Sequence, residues 1–377
     1  MRMTELFAVR GVRRLTVVLV GAISIASMSG GVSGFATSPF SDGRPDHDRD
    51  NLPKGTVWVV NRDLGELAIF DAESGTVLKT LPVGAGAHDI CISERAGKAY
   101  ITAEAINTVT TVDLKTLATE SIPVSPLPHH IEPSPDGRTI YVSLASHTTT
   151  VGAPQLAVID TDDNSVTYVT TSNNPMARSH GPRPSVDGDT LYVAHDTGDE
   201  VTAVDTETEN IDPLASISRA EEVIPTRFGH LLWAASRGDG TVKRIDLDSK
   251  AITASIPVGV QPESVMLTPS ERTLVVSLRG SPATLAFVDT VNLTLRGTIP
   301  IGVKYGTTET AGDLGVITNN GRHVYATFDA GTSGTGGVAV IDVRTQTVVD
   351  TWPYPGTGRP HGVWYSKKKL KLDKCER

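Results

Sequence analysis

The chain has few of the residues that mark several common protein classes. Only two of its 377 residues are cysteine, and aromatic residues make up 5%. Cys91 lies in a predicted strand and Cys375 in a charged tail, so no disulfide framework is expected and the core must stabilise the fold. There are 34 basic and 43 acidic residues, a net charge of -9. This acidic balance argues against a nucleic-acid partner.

The sequence also lacks an apolar run long enough to span a membrane. Its longest one extends from Leu15 to Ala26, after four arginines and before small residues that end at Ala36. A membrane helix needs about 20 apolar residues, so this segment predicts a signal peptide over residues 1–36 instead. We therefore expect a secreted, periplasmic or cell-surface protein with no membrane span and a mature net charge of -12. The Arg13-Arg14 pair leaves both Sec and twin-arginine export open.

Several motifs that carry known chemistry are absent. The sequence has no Walker loop and no GxSxG, CxxC or HExxH motif, which argues against the phosphate-binding, serine-hydrolase and zinc-protease classes that depend on them. It has no CxxCH either, so it is not itself a c-type cytochrome.

An internal repeat organises what is present. An apolar residue followed by Asp recurs seven times, at intervals of 41 to 53 residues, which is the length of one four-stranded propeller blade. A short polar turn and a β-rich stretch follow each pair, so the Asp is expected to cap the hairpin turn between two outer strands. The seven pairs are Phe70-Asp71, Val112-Asp113, Ile159-Asp160, Val204-Asp205, Ile245-Asp246, Val288-Asp289 and Ile341-Asp342.

A second marker keeps the same period. Each unit has a bulky residue within an alternating, strand-like segment, and turns such as Ser134-Pro135-Asp136-Gly137 precede several of these segments and predict hairpins. The markers are Trp58, Tyr100, Tyr141, Tyr192, Trp233, Val275 and Tyr325.

The two ends of the repeat array complement each other. The last repeat, WPYPGTGRPHGVWYS, supplies one inner strand, whereas residues 56–81 supply three strands with no inner strand before them. One blade made from both termini would close the ring and remove exposed sheet edges. The sequence therefore predicts an all-β, seven-bladed β-propeller over residues 55–366. A flexible linker over 37–54 and a solvated basic tail over 367–377 are predicted to flank a monomeric propeller.

These repeats resemble a known family. The segment PHHIEPSPDGRTIYVS, followed by LAVIDTDDNSV, is similar to the YVTN-type 40-residue β-propeller repeat, and the resemblance covers residues 55–366. It implies the propeller fold. It leaves function open, because related propellers include surface proteins, lyases, lactonase-like enzymes and redox subunits.

Alignment on the bulky markers reveals one slot filled by metal-binding residue types. Twelve residues before each of six markers, and in the PHGV of the closing repeat, lies a histidine or a carboxylate. In a propeller this slot is the start of the innermost strand, so the seven side chains should form a ring at one mouth of the central channel. The slot residues are His88, His129, His180, Glu221, Glu263, Asp313 and His361.

The ring predicts a transition-metal site. Imidazole suits Fe, Cu or Zn, so His88, His129, His180 and His361 are the predicted ligands. Glu221, Glu263 and Asp313 are the predicted catalytic carboxylates, acting as a base or orienting the imidazoles. The combination is similar in architecture, though not in motifs, to the iron centre of carotenoid-cleaving oxygenases.

Some assignments stay open at this level. His130 competes with His129, because a shift of one residue exchanges the two faces of a strand, and Glu309 competes with Asp313 because a long loop precedes it. Arg62, Arg237, Arg279 and His195 are predicted to lie at the same mouth and to bind substrate. Arg237 and Arg279 would either neutralise Glu221 and Glu263 or hold an anionic substrate.

The functional hypothesis is an exported, transition-metal-dependent enzyme acting on a small molecule. One alternative is a metal-free lyase or lactonase-like enzyme in which ring His and Glu act as acid and base. Another is a non-catalytic interaction scaffold whose ring is a polar plug.

Overall fold

Seven four-stranded antiparallel sheets form the structure, which is a computed structural model. It describes residues 52–145, 155–280, 282–301, 312–329 and 335–370, without the side chains of residues 312 and 313. The predicted signal peptide (1–36), most of the predicted linker, Glu309 and Cys375 lie outside the described residues. Among those described, no helix is long and apolar enough to cross a membrane.

The first blade is built from both ends of the propeller. It contains β1 (Thr56–Asn61), β2 (Glu66–Asp71), β3 (Val77–Pro82) and, as its innermost strand, β28 (Pro360–Ser366). Trp58 of β1 lies opposite Trp364 of β28, and Val57 opposite Tyr365. The prediction that the N- and C-terminal strands share a blade is confirmed.

The other six blades follow in sequence, and in each the four strands run from the channel outwards in chain order. Blade two contains β4 (Ala87–Ser93), β5 (Lys98–Ala103), β6 (Thr108–Asp113) and β7 (Thr119–Pro123). Blade three contains β8 (Pro128–Pro133), β9 (Thr139–Leu144), β10 (Leu156–Asp160) and β11 (Val166–Val169). Blade four contains β12 (Arg178–Pro184), β13 (Thr190–Thr197), β14 (Glu200–Asp205) and β15 (Ile211–Ser216). Blade five contains β16 (Ala220–Pro225), β17 (Leu231–Ser236), β18 (Thr241–Asp246) and β19 (Ile252–Pro257). Blade six contains β20 (Pro262–Leu267), β21 (Thr273–Leu278), β22 (Thr284–Asp289) and β23 (Thr294–Pro300). Blade seven contains β24 (Gly312–Ile317), β25 (His323–Phe328), β26 (Gly337–Asp342) and β27 (Thr347–Pro353).

The repeated Asp residues act as predicted. Asp113 Oδ1, at the end of β6, accepts hydrogen bonds from the backbone N–H of Lys115 (3.0 Å) and Thr116 (2.7 Å). In every blade the residue four positions after this Asp has a positive φ, and Gly75, with φ of 69°, takes that position after Asp71. One turn geometry, set by a local carboxylate, therefore recurs seven times.

Apolar faces of neighbouring blades form the core. Trp233 and Val242 of blade five, for example, share a cluster with Val276 and Ala286 of blade six. Each blade packs on its two neighbours, and the pairing of β28 with β1 closes the ring.

Candidate metal centre

A β-bulge occurs at the predicted ring slot of all seven innermost strands. In β4, Ala87 pairs with Ala103 and Ile90 with Ile101, so His88 and Asp89 together oppose the single residue Thr102. The same two-against-one register occurs in the other six blades. A bulge re-aims side chains locally and is frequent beside functional sites. Here it gives each blade two consecutive positions at the channel.

Hydroxyl groups of the second strands hold several of these bulges. The Thr102 hydroxyl accepts from the Asp89 N–H (3.0 Å) and donates to the His129 carbonyl of the next blade (2.7 Å). The Thr327 hydroxyl likewise donates to the carbonyl of His361 (2.6 Å). One side chain therefore fixes the backbone of two neighbouring ring positions.

The bulge brings both His129 and His130 to the channel. His129 contacts His88 and His180, and the ring of His130 also lies near these two, at centroid distances of 5.2 and 4.4 Å. His130 lies directly behind it and lines a void deeper in the channel. Its Nδ1 lies 3.1 Å from Asp89 Oδ2. Regular strand alternation would have excluded one of the two histidines, and the bulge places both at the channel.

The four predicted histidine ligands form a continuous arc. Ring centroids of His361 and His88, and of His88 and His129, are 3.9 Å apart, and those of His129 and His180 are 4.9 Å apart. The first two pairs are tilted side by side, whereas His129 and His180 are nearly perpendicular, at 69°. Their Nε2 atoms are 3.3 Å apart.

The hydrogen bonds of His129 and His180 engage Nδ1 of each ring and favour the tautomer that is protonated there. His180 Nδ1 donates to the Glu221 carbonyl (2.9 Å), and His129 Nδ1 forms a short hydrogen bond with Glu104 Oε1. In a neutral imidazole whose Nδ1 carries the proton, Nε2 carries a lone pair. With the proton of each ring on Nδ1, the two Nε2 lone pairs face each other across 3.3 Å. Glu221 Oε2 lies 3.1 Å from His180 Nε2 and has no hydrogen-bond partner among the described residues.

Burial keeps the ring imidazoles neutral. It lowers the pKa of His88, His129, His180 and His361 well below 6.5, and neighbouring histidines or arginines lower it further. Neutral imidazole is the form that binds metal.

Two separate groups of side chains could hold a metal ion, and they meet where His129 lies beside His180. One comprises His88, His129 and His130, and the other His180, Asp196 and Glu221. Within each group the potential ligand atoms all lie within 4.8 Å of one another. Two imidazole nitrogens on one tetrahedral ion, at about 2.0–2.1 Å from it, are about 3.3–3.4 Å apart. The 3.3 Å separation of His129 and His180 fits this spacing without rearrangement.

The predicted carboxylates complete the circle. Glu221 is 0% exposed and Glu263 2%. Arg237 contacts both, at 2.8 Å from Glu221 Oε1 and 3.4 Å from Glu263 Oε2, and Arg279 lies 3.3 Å from Glu263 Oε1. Both arginines thus pair with ring carboxylates, as their neutralising role requires. Asp313 is the second residue of β24, in the register of the ring, although its side chain is not described.

Two groups at this mouth were not chosen from the sequence. Glu104 bonds His129 on one oxygen and Arg62 Nη2 on the other (2.6 Å), and Arg178 forms a two-point ion pair with Asp196. Glu104 and Asp196 occupy the loop slot of Arg62, Arg237 and Arg279. Position along the chain places both residues in that slot, but only the structure shows their partners.

His195 lies away from the ring opening. It is 0% exposed, and its Nε2 contacts the Thr202 hydroxyl (3.1 Å) of the neighbouring strand β14. In this conformation it presents no surface to a ligand, because its side chain is enclosed within its own blade.

The comparisons with known proteins bear on the fold. No family model and no curated protein matches the chain, so the YVTN-type resemblance stays a prediction. The fold is similar to that of a Kuenenia stuttgartiensis hydrazine synthase structure (TM-score 0.62, 19% identity, covering 82% of this chain and 100% of that one). It is also similar to a putative 6-phosphogluconolactonase from Bacteroides uniformis (TM-score 0.63, 15% identity, covering 83% of this chain and 100% of that one). A third structure with a similar fold is the dihydro-heme d1 dehydrogenase NirN in complex with DHE (TM-score 0.58, 16% identity, covering 83% of this chain and 75% of that one).

We expect replacement of Arg237 by alanine to destabilise the fold by about 2–4 kcal/mol, because it leaves the buried Glu221 carboxylate without its guanidinium partner. Chemical denaturation at pH 7 measures this change. Arg244→Ala is the control, since Arg244 donates to the Thr253 hydroxyl on an outer strand (3.0 Å). Unchanged stability with weakened ligand binding would instead assign Arg237 to the ligand.

Proposed function

We propose that this protein is an exported metalloprotein whose channel mouth binds one transition-metal ion and acts on a small molecule. The observation that carries the proposal is the convergence of three potential ligand atoms in the buried mouth: His180 Nε2 lies 3.3 Å from His129 Nε2 and 3.1 Å from Glu221 Oε2. A cation bound between these atoms would stabilise their electron pairs in a site from which water is largely excluded.

His129, His180 and Glu221 would form the centre of the ligand set. His88 and His361 lie in the same arc, and the buried Nδ1 of His88 has no hydrogen-bond partner among the described residues. A set dominated by imidazole favours Fe, Cu or Zn over Ca²⁺ or Mg²⁺. When bound, such an ion would supply Lewis-acid or redox chemistry.

The surrounding residues divide into supporting roles. Glu104 orients His129 and keeps its proton on Nδ1, in the manner of carboxylates that support metal-bound histidines. Glu263 and Asp313 are the proposed bases for a substrate above the ring. Arg62, Arg178 and Arg279 have side chains that are 24–34% exposed at the mouth, so they could hold an anionic group of that substrate.

The test is elemental analysis of the protein after export by its natural route, with reconstitution by Fe²⁺, Cu²⁺ or Zn²⁺. We expect about one equivalent of one metal. Protein that keeps no transition metal after reconstitution would overturn the proposal. The ring would then be assigned to metal-free acid–base chemistry, for which the His180–Glu221 contact provides the pair.

Export has its own test. We expect the mature protein to begin at Thr37, because the small residues before it fit the requirement of signal peptidase. N-terminal sequencing of protein recovered from the periplasm or medium measures this. Replacing both Arg13 and Arg14 by lysine should stop export only if the twin-arginine route is used. An intact N-terminus on protein retained in the cytoplasm would contradict the assignment.

A further inference from the structure

The channel continues behind the ring as a cavity of about 160 Å³. It is lined by the innermost strands of six different blades besides β4, among them β8, β16 and β24. Glu132, Arg183, Val316 and Trp364 line it and are partly exposed. They lie further along their strands than the ring residues, so the cavity opens towards the face opposite the ring.

The two walls of this cavity differ in chemistry. One wall carries Asp89, Glu132, Arg183 and Glu222, which are all charged residue types. The other is apolar and is formed by Val265, Met266, Leu314, Val316, Val363 and Trp364. A pocket with one charged and one apolar wall fits an amphipathic molecule. Its volume is similar to that of a cavity of about 150 Å³ known to bind benzene.

The charged wall has an excess of negative charge. Asp89 Oδ2 forms a hydrogen bond with His130 Nδ1 (3.1 Å) and accepts another from the backbone N–H of Ile131 (3.2 Å). Glu132 and Glu222 share a single guanidinium: Arg183 bonds Glu132 closely and lies 4.0 Å from Glu222 Oε2. Along this wall three carboxylates therefore face one guanidinium and one imidazole. Burial raises the pKa of Glu132 to about 7, with Asp89 and Glu222 adding to the effect and Arg183 opposing it.

A small void lined by polar side chains lies between the ring and the cavity. His130, 3% exposed, lines a small void shared with Asp89, Glu132, Arg183 and Glu222. Its buried Nε2 has no hydrogen-bond partner among the described residues. Buried polar groups are almost always satisfied, so this void calls for a polar occupant.

We propose that the cavity is a second ligand site, separate from the metal centre, which takes a small organic monocation. The ammonium group lies between Glu132 and Glu222, where it supplies the missing positive charge. The apolar body packs on Val316 and Trp364, whose indole also favours a nearby cation. The site is entered from the face opposite the ring, so it can be filled whether or not a metal is bound.

Calorimetric titration of metal-free protein with benzylammonium, kept at pH 8 with a chelator, tests the proposal. Glu132 is mostly ionised at that pH. We expect saturable binding, with the neutral isostere benzyl alcohol and the anion benzoate each bound at least about tenfold more weakly. At pH 7, binding should release protons, because a cation beside Glu132 lowers its pKa. Equal affinity for benzyl alcohol, or no binding of benzylammonium, would overturn the proposal.

Two variants locate the site. Glu222→Gln removes one charge and should weaken benzylammonium binding about tenfold, whereas Glu207→Gln, the same change on an exposed turn, should not. Val316→Phe fills the cavity, keeps its charges and should abolish binding. Undiminished binding to a folded Val316→Phe protein would show that the ligand lies elsewhere.

Discussion

Replacement of His129 or His180 by alanine is expected to reduce bound transition metal to below about a tenth of an equivalent after reconstitution. These residues supply the facing Nε2 atoms, so either change removes a ligand from the centre of the set. His88→Ala and His361→Ala should lower metal content as well. Elemental analysis after gel filtration measures the result, with circular dichroism to confirm that each variant is folded.

Two histidines outside the ring provide matched controls. His195 is equally buried but enclosed in its own blade, and His230 is exposed near Asp248 (3.8 Å). Replacing either should leave metal content unchanged. Loss of metal from His130→Ala but not from His129→Ala would contradict the assignment of His129 to the ring and move the ion into the channel. Glu104→Gln keeps the shape of the support but removes its charge, and should reduce metal affinity about 10–100-fold.

The pH dependence follows from the lowered histidine pKa values. Protons compete with the metal only when the imidazoles can be protonated, and burial places that range well below 6.5. Occupancy should therefore persist as the pH falls through 6.5 and be lost only below it. The metal-free protein should lose stability as pH falls below about 6.5, since the unfolded chain then binds more protons. Loss of metal with an apparent pKa at or above 6.5 would contradict this.

Deletion of residues 352–377 is expected to abolish cooperative folding. It removes β28, the innermost strand of the first blade, together with Trp364 and the ring residue His361. The open ring would expose the inner edge of β1 and the apolar faces of two blades. Thermal unfolding by circular dichroism and dye binding to exposed apolar surface measure the loss.

Deletion of residues 371–377 is the control, because it leaves the closing strand and the residues after it that dock on the propeller. Lys368 accepts a hydrogen bond on its carbonyl from Thr56 Oγ1 (3.1 Å), and Lys369 Nζ lies 2.7 Å from Glu73. The start of the basic tail thus contacts the propeller. A 352–377 deletion that unfolds with the same midpoint and steepness as the full chain would contradict the shared blade.

Much of the fold follows from local rules that a sequence displays. The Asp after each third strand appears as a repeat because the same turn is built seven times, and its hydrogen bonds reach only two or three residues along the chain. The closing blade can be predicted because the N-terminal end of the array lacks an innermost strand and the C-terminal end supplies an unpaired one. The ring slot is recognisable in the sequence because in six blades it lies twelve positions before the bulky marker, and in the closing blade the PHGV motif marks it.

What the sequence did not determine depends on pairing between strands and on contacts across blades. The bulge that places both His129 and His130 at the channel is a property of pairing between strands, and only the register with β9 reveals it. Glu104 reaches His129 from a neighbouring blade, and one Arg183 serves carboxylates from the blades on either side. Residue types and periodicity specified which side chains line the channel. The closure of the ring decided which of them meet, because distance between blades is set by packing and not by spacing along the chain.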